Sequence, residues 1–217
     1  MDIRGVIFDF DGVIAASEPL HGEAWVRLGQ VLNKDLPQGF VDKGVGLTDT
    51  ELAHELADFW QGSPDSAYIF AEKQRLYQEK AHKHCPLIPG IKEALKTLST
   101  RFPIAIATSS SREDISGIVE NNDLANFFKA ILTVDDVTKP KPAPEIYQRA
   151  AQSLGLMPEH CLAFEDSKAG TTAARAAGCH LVALTTTAPK EKLAPYTDTI
   201  PDFTHAPDLF HRLGILN

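Results

Sequence analysis

Two aspartates, Asp9 and Asp11, follow an apolar run near the start of the chain and are separated by one phenylalanine. The run begins at Ile3 and predicts a short buried strand. Residues two apart in a strand point to the same side, so this spacing would place both carboxylates together. Paired carboxylates repel each other, and a divalent cation that prefers oxygen ligands, such as Mg²⁺, relieves that repulsion. A solvated acidic turn explains the same residues, so the pair of aspartates alone does not establish a metal site.

Three further polar segments follow predicted strands or begin helices. The hydroxyls and backbone N–H groups of 108–111 suit phosphate oxygens, although N-capping of a helix would explain one hydroxyl. Lys139 and Lys141 lie in a proline-rich loop, where a fixed ammonium suits a phosphate or a carboxylate. An exposed basic loop is the commoner explanation for such lysines. Glu165 and Asp166 end another apolar run, and a helix-start acid would explain the second of them.

The apolar pattern divides the chain into an all-helical stretch and an alternating stretch. Residues 16–84 show helical periodicity only, whereas short strands and helices alternate from residue 85 onward. The predicted strands are 1–9, 104–107, 130–134, 161–164 and 180–184. The predicted helices are 17–32, 48–60, 63–82, 91–99, 111–121, 143–154, 167–177 and 208–213, with a loop over 33–46. Alternation of this kind predicts a parallel sheet covered by helices on both faces.

Ligands of open parallel sheets bind at the carboxyl ends of the strands, which is where all four polar segments lie. The expected domains are a core formed by 1–15 and 85–217, and a helical insertion formed by 16–84. Insertions at a ligand-binding edge often act as lids.

Composition excludes several classes of protein. The 217 residues are 43% apolar and carry a formal net charge of −8, which argues against broad nucleic-acid binding. Three cysteines without a Cys-x-x-Cys pair indicate neither a disulfide framework nor a zinc site. No apolar run approaches the length of a membrane span, and the first residues do not form a signal peptide. We therefore expect a cytoplasmic protein with no membrane or nucleic-acid partner.

The four segments together resemble the motifs of the haloacid dehalogenase (HAD) superfamily. The matching stretches are Asp9-Phe10-Asp11-Gly12-Val13, Thr108-Ser109, Lys141-Pro142-Ala143-Pro144-Glu145 and Glu165-Asp166-Ser167-Lys168-Ala169-Gly170. The chain looks most like the branch that holds β-phosphoglucomutase and small sugar-phosphate phosphatases. That resemblance implies a Rossmann-like parallel sheet core with an inserted all-helical cap domain. It also implies a Mg²⁺-dependent phosphatase that acts on small phosphorylated metabolites, with sugar phosphates as the expected class. Separately from the resemblance, we expect a monomer.

The resemblance also assigns roles to residues. Asp9 would be the nucleophile that forms an aspartyl-phosphate, and Asp11 the general acid and base. Lys141 would steady Asp9 and the phosphate, with Lys139 as its rival, while Thr108 would bind phosphate oxygens. Mg²⁺ would be held by Asp9, the Asp11 main-chain carbonyl and Asp166, with Glu165 as a nearby acid. The expected substrate-binding residues are Ser109, Ser110, Arg112, His21 and Gly44.

Two alternatives to a phosphatase stay open. A mutase of this family grips a second phosphate with an arginine after Gly-Val-Ser, where this chain has Leu47 after Gly44-Val45-Gly46. Arg112 could still reach a phosphate, so the leucine favours a phosphatase without excluding a mutase.

Dehalogenation is disfavoured, because dehalogenases of the family lack the second aspartate that is present here as Asp11. A binding protein that has lost the chemistry is the other alternative, although all the core acids and the lysine are present.

Overall fold

The computed structural model describes residues 2–43, 48–193 and 198–215, without the side chains of residues 42 and 43. The chain divides into two compact units, one formed by 1–16 with 86–217 and the other by 17–85. In the described part of the first unit, six parallel strands form one sheet, in the order β3-β2-β1-β4-β5-β6. The strands are β1 (Gly5–Phe8), β2 (Ile104–Ala107), β3 (Ala130–Leu132), β4 (Cys161–Glu165), β5 (His180–Leu184) and β6 (Asp198–Ile200).

Helices connect the strands of the first unit and form most of the second. The helices are α1 (Glu18–Leu32), α2 (Phe40–Lys43), α3 (Asp49–Phe59), α4 (Ser66–His84), α5 (Ile91–Ser99), α6 (Arg112–Asn121), α7 (Glu145–Leu154), α8 (Lys168–Ala177) and α9 (Ala206–Arg212). Short 3-10 helices lie at Ala125–Phe127, Val134–Asp136, Pro158–His160, Lys190–Lys192 and Phe203–His205. The predicted parallel α/β core with a helical insertion is thereby confirmed.

Strand β1 lies at the centre of the sheet and is buried on both faces. Ile7 belongs to an apolar cluster that includes Tyr147 of α7 and Ala173 of α8. Phe8 points the other way and stacks on Phe164 with ring centroids 4.9 Å apart. Alternate residues of a strand face opposite sides, so a fully apolar strand is what two covered faces require. The residue that follows β1 is therefore held on a rigid support.

Strands β1 and β3 both end earlier than the sequence predicts. β1 stops at Phe8, and the chain then turns back on itself, because Ile14 and Ala15 both donate backbone hydrogen bonds to the Phe10 carbonyl. Asp9 and Asp11 therefore both lie beyond the strand, and strand geometry does not set the direction of one side chain relative to the other. β3 stops at Leu132, where a 3-10 turn capped by Asp136 takes over.

The second unit packs its helices around an apolar interior. The buried residues include Trp25 and Leu28 of α1, Leu56 of α3 and Leu76 of α4. Helix α3 begins with the capping box that the sequence predicts, in which Thr48 and Glu51 bond to each other's backbone N–H. In the part of the chain that the structure describes, no helix combines the length and the apolar character that crossing a membrane requires.

Candidate active site

Asp9 is the first residue beyond β1 and is still tied to the sheet. Its backbone N–H donates to the Phe164 carbonyl of β4 at 2.9 Å, and its side chain is almost buried, with 7% of the residue exposed. The ammonium of Lys141 donates to Asp9 Oδ1 at 2.9 Å. Of the two candidate lysines, Lys141 thus contacts Asp9, whereas Lys139 is exposed.

Glu165, the last residue of β4, is fully buried and receives hydrogen bonds on both carboxylate oxygens. Oε1 accepts from Lys141 Nζ at 2.6 Å and from the hydroxyl of Tyr147 at 2.8 Å. Oε2 accepts from the backbone N–H of Asp166 at 3.0 Å and from the N–H and hydroxyl of Ser167, both at 3.2 Å. A Cβ at Gly170 would come within 1.7 Å of Oε1, so the glycine leaves room for this carboxylate.

Asp166 follows β4 directly and meets two threonine side chains from the loop after β5. The hydroxyl of Thr187 lies 2.5 Å from Asp166 Oδ2, and that of Thr186 lies 3.3 Å from the same oxygen. The Thr186 hydroxyl also donates to the Gly12 carbonyl at 2.6 Å. Gly12 has a φ of +70°, and a Cβ there would lie 1.8 Å from Asp166 Oδ2. The loops after β1, β4 and β5 therefore meet at Asp166.

The side chain of Asp11 contacts the loop that follows β2. Ser110 donates a short hydrogen bond from its hydroxyl to Asp11 Oδ2, and Thr108 Oγ1 lies 3.4 Å from that oxygen. The Thr108 hydroxyl also accepts from the Ser110 N–H at 3.0 Å, and Thr108 is fully buried. Asp11 and this hydroxyl-rich loop, which were predicted to lie at the same edge of the sheet, are thus in contact.

Two further predicted substrate-binding residues, Ser109 and Arg112, follow β2, and Arg112 is the first residue of α6. Ser109 is exposed. The guanidinium of Arg112 donates to Asp136 Oδ2 at 2.8 Å and to the Ile131 carbonyl at 3.1 Å. In the structure Arg112 therefore binds the loop after β3.

His21 belongs to the helical unit and takes part in a partly buried polar network there. Its Nδ1 lies 2.6 Å from the ammonium of Lys73, and its ring stacks on Tyr77 with centroids 4.0 Å apart. Lys73 is fully buried and also forms an ion pair with Asp49. Gly44, the other residue predicted in this unit, lies outside the described residues.

Burial and mutual repulsion raise the pKa values of the acids in the cluster. Burial first, and then the Glu165 charge, raise the pKa of Asp166 to about 7 and hold the pKa of Asp9 well above its ordinary value. Burial alone would lower the pKa of Lys141, but the charges of Asp9 and Glu165 outweigh it and raise that pKa. Burial raises the pKa of Tyr147, so its hydroxyl stays protonated and can donate.

The donor set fits a hard divalent cation. Among the described residues, Asp9, Glu165 and Asp166 each offer a carboxylate oxygen, and these oxygens lie within 4.8 Å of one another. All three residues are buried, and within the cluster Lys141 supplies one positive charge against their three carboxylates. Buried charge of one sign is costly unless it is compensated, and oxygen-only donor sets suit Mg²⁺. The Asp11 side chain is not a member of this group.

Three contacts in the site were not predicted from the sequence: Tyr147 to Glu165, and the two threonines to Asp166. The threonines could have been found, because Thr185-Thr186-Thr187 follows a predicted strand just as the four motif segments do. Tyr147 has no such signal, since a tyrosine at a buried helix position is equally well explained by packing.

Comparison with known proteins agrees with this fold and site. The family model described as haloacid dehalogenase-like hydrolase matches residues 6–184. The chain belongs to the haloacid dehalogenase-like hydrolase family.

Two relatives indicate the branch of that family to which the chain belongs. A phosphorylated-carbohydrate phosphatase from Thermotoga maritima is 33% identical over 180 residues, covering 81% of this chain and 82% of the relative. The β-phosphoglucomutase of Bacillus subtilis is 31% identical over 189 residues, covering 83% of this chain and 82% of the relative. The chain therefore lies in the branch that contains both sugar phosphatases and phosphoglucomutases, as the motifs suggest.

A solved structure agrees with the fold over nearly the full length. The HAD hydrolase of family IA, variant 3, from Entamoeba histolytica superposes with a TM-score of 0.82 at 26% identity. The match covers 94% of this chain and 95% of that protein.

Proposed function

We propose that this protein is a Mg²⁺-dependent phosphatase that hydrolyses small phosphorylated metabolites, with sugar phosphates as the substrate class. The observation that carries the proposal is the buried cluster in which Lys141 bridges Asp9 and Glu165 next to Asp166. The substrate class rests on the relatives, one of which is a phosphorylated-carbohydrate phosphatase.

In the first step a carboxylate oxygen of Asp9 attacks the phosphorus, and the bond from phosphorus to the sugar oxygen breaks. This gives an aspartyl-phosphate and splits one difficult displacement into two easier ones. Asp9 must be ionised to attack, although burial and the neighbouring acids favour its protonated form. The Lys141 ammonium, 2.9 Å from Oδ1, opposes that tendency and holds the nucleophile in place.

Asp11 gives a proton to the departing sugar oxygen and then takes one from the water that attacks the aspartyl-phosphate. Inorganic phosphate leaves, and Asp9 is regenerated. Asp11 is partly exposed, so its carboxyl group can exchange protons with solvent and substrate, as general acid–base catalysis requires. The contacts from Ser110 and Thr108 limit the directions in which its carboxyl group can point. The Thr108 side chain and the Ser109 N–H would bind phosphate oxygens.

Asp9, Asp166 and the Asp11 main-chain carbonyl would hold Mg²⁺, which neutralises charge on the transferred phosphoryl group when bound. Glu165 would not need to be a direct ligand, because five donors already occupy its two oxygens. Its part is to fix Lys141 and the start of α8. The substrate contacts expected from the helical unit, at His21 and Gly44, belong to this proposal and rest on the resemblance alone.

The residues at the positions that could bind a second phosphate favour a phosphatase over a mutase. Arg112 is engaged by Asp136 and by a backbone carbonyl, and position 47 is a leucine where the mutases have an arginine. A mutase must hold its bisphosphate intermediate through a second phosphate while the intermediate reorients. The mutase remains the alternative because a β-phosphoglucomutase is among the relatives.

The test is to supply Mg²⁺ and β-glucose 1-phosphate with a trace of glucose 1,6-bisphosphate, and to follow phosphate and glucose 6-phosphate together. We expect free phosphate, either from this substrate or from a panel of other sugar phosphates, and none from the Asp9→Asn variant. Glucose 6-phosphate without free phosphate would establish the mutase instead. A folded protein that releases no phosphate from any member of the panel and forms no glucose 6-phosphate would contradict both and favour a binding role.

A further inference from the structure

The loop after β5 reaches the acidic cluster through hydroxyl groups that no motif includes. Thr186 and Thr187 are exposed residues, yet the hydroxyl of each lies within 3.3 Å of Asp166 Oδ2. The backbone at the start of this loop is hydrogen-bonded to the sheet, since the N–H of Thr185 donates to the Ile200 carbonyl of β6 at 3.1 Å. The loop is thus held by the sheet next to Asp166.

Each threonine hydroxyl has one proton to donate, and the distances assign it. Thr186 lies 2.6 Å from the Gly12 carbonyl and 3.3 Å from Asp166 Oδ2, so it donates to the carbonyl. Thr187 lies 2.5 Å from Asp166 Oδ2 and 3.1 Å from the Asp166 carbonyl, so it donates to the carboxylate. A separation of 2.5 Å is typical of a hydroxyl bonded to an ionised carboxylate.

The two threonine contacts are made to one carboxylate oxygen of Asp166, Oδ2. The hydrogen bonds that the described residues make to this side chain go to Oδ2. Gly12 approaches from the same direction, and a Cβ there would lie 1.8 Å from Oδ2 and 2.9 Å from Thr187 Cγ2. A carboxylate held at one oxygen cannot rotate freely, which fixes where its other oxygen points.

We propose that Thr187 is a positioning residue for the cation site, with its hydroxyl holding Asp166 Oδ2 so that Oδ1 is presented to Mg²⁺. The inference rests on the proposed function, because it needs Asp166 to be a metal ligand. Hydrogen-bond partners of metal-ligating side chains set ligand orientation, and losing one typically costs about 10- to 100-fold in metal affinity or activity.

The test uses Thr187→Val, which keeps the shape and removes the hydroxyl, and Thr187→Ser, which restores the hydroxyl without the methyl group. Thr172→Val is the matched control, because Thr172 is an exposed threonine whose hydroxyl donates to a helix carbonyl, that of Lys168, at 2.7 Å. The first readout is the thermal unfolding midpoint as a function of Mg²⁺ alone, which gives an apparent Kd without substrate. The second is the Mg²⁺ concentration that half-activates phosphate release.

We expect Thr187→Val to need at least about 10-fold more Mg²⁺ than wild type in both readouts. Its midpoint without metal should match that of wild type, and Thr187→Ser and Thr172→Val should both bind Mg²⁺ normally. At saturating Mg²⁺ most of the kcat of Thr187→Val should return, because the defect lies in holding the cation.

Two results would overturn the inference while leaving the phosphatase intact. One is an unchanged Mg²⁺ requirement in Thr187→Val, and the other is a raised Mg²⁺ requirement that is equally raised in Thr187→Ser. A wild-type protein whose midpoint and phosphate release both ignore Mg²⁺ would instead overturn the proposed function, and this inference with it.

Discussion

At Asp9, burial and function make opposite demands on one carboxyl group. Burial and the charge of Glu165 raise its pKa, whereas a nucleophile must be ionised. Lys141, whose side chain is only 3% exposed, touches both carboxylates and so opposes that shift. Removing one partner of such a buried charge group leaves the other partners uncompensated, which costs more than the pair itself contributes.

The first prediction concerns Lys141→Met, which keeps an unbranched side chain and removes the charge. We expect a loss of roughly 3–5 kcal/mol in the free energy of unfolding, the usual cost of breaking a buried ion pair. We also expect a fall of at least about 100-fold in kcat, since a misplaced or protonated nucleophile alone accounts for such a loss. Urea unfolding and phosphate release measure the two effects.

Lys139→Met is the matched control in the same loop. Its side chain is exposed, so activity should be retained and stability should change by less than about 0.5 kcal/mol. Equal effects of the two substitutions would contradict the assignment of Lys141 to Asp9.

Much of the site could be predicted at the scale of single residues, because strand ends mark it. Asp9, Thr108 and Asp166 each follow an apolar run, and a parallel sheet brings such positions to one edge. Contacts that depend on exact distance could not be predicted. Nothing in the sequence says that Arg112 turns to Asp136, or that the Tyr147 hydroxyl reaches Glu165.

At the scale of elements, local signals predicted the longer helices and strands and missed the shortest elements. Ser111 and Ser167 cap α6 and α8 through their side chains, as their position before each helix suggests. β6 was missed because its three residues, Asp-Thr-Ile, include one apolar residue and no measurable alternation. Helix α2 was missed because its four residues lie in a stretch rich in glycine. Pairing with a neighbour, which one sequence does not reveal, decides such short elements.

A charged network joins the helices of the second unit. Lys73 of α4 is fully buried between Asp49 at the start of α3 and His21 of α1. Burial alone would raise the pKa of Asp49, but His21 and Lys73 outweigh it and lower that pKa to about 2. A lowered carboxyl pKa contributes stability that is present above the pKa of the unfolded chain, near 4, and is lost as the pH falls toward 2.

We therefore predict that Asp49→Asn lowers the free energy of unfolding by about 2 kcal/mol or more at neutral pH. The difference from wild type should shrink as the pH falls from about 4 toward 2, because the wild-type carboxylate then becomes protonated. Urea unfolding across that range measures it. Glu23→Gln is the control, since Glu23 pairs with Lys80 at an exposed site and should have little effect. A difference that does not change with pH would exclude Asp49 ionisation as its source.

At the scale of the whole molecule, the first unit carries a concentration of negative charge at the carboxyl edge of its sheet. The pKa of Asp166 is raised to about 7, and that of Asp9 is also raised, chiefly by burial. A raised carboxyl pKa contributes stability that is present below the unfolded value and is lost as the pH rises through the folded value. A bound cation favours the ionised carboxylates and so reverses this loss.

This predicts that the unfolding midpoint in EDTA falls as the pH rises from about 5 to 8, through the pKa of Asp166. The increase in midpoint on adding Mg²⁺ should grow over the same range, because the ionised carboxylates bind the cation. Calorimetric or fluorescence-monitored melting measures both. Asp166→Asn should flatten the profile in EDTA and weaken the Mg²⁺ response. A Mg²⁺ effect of equal size at both ends of the range would count against these acids as its ligands.

The most direct test of the proposed function is to look for the covalent intermediate on Asp9. A sugar phosphate radiolabelled in its phosphate, and shown to be a substrate, is mixed with Mg²⁺ and excess protein, quenched rapidly in acid, and the labelled peptide is identified. We predict transient label on the peptide that contains Asp9, and none in Asp9→Asn. Phosphate release by Asp9→Asn at the wild-type rate, or label on another residue, would contradict the mechanism proposed for this site.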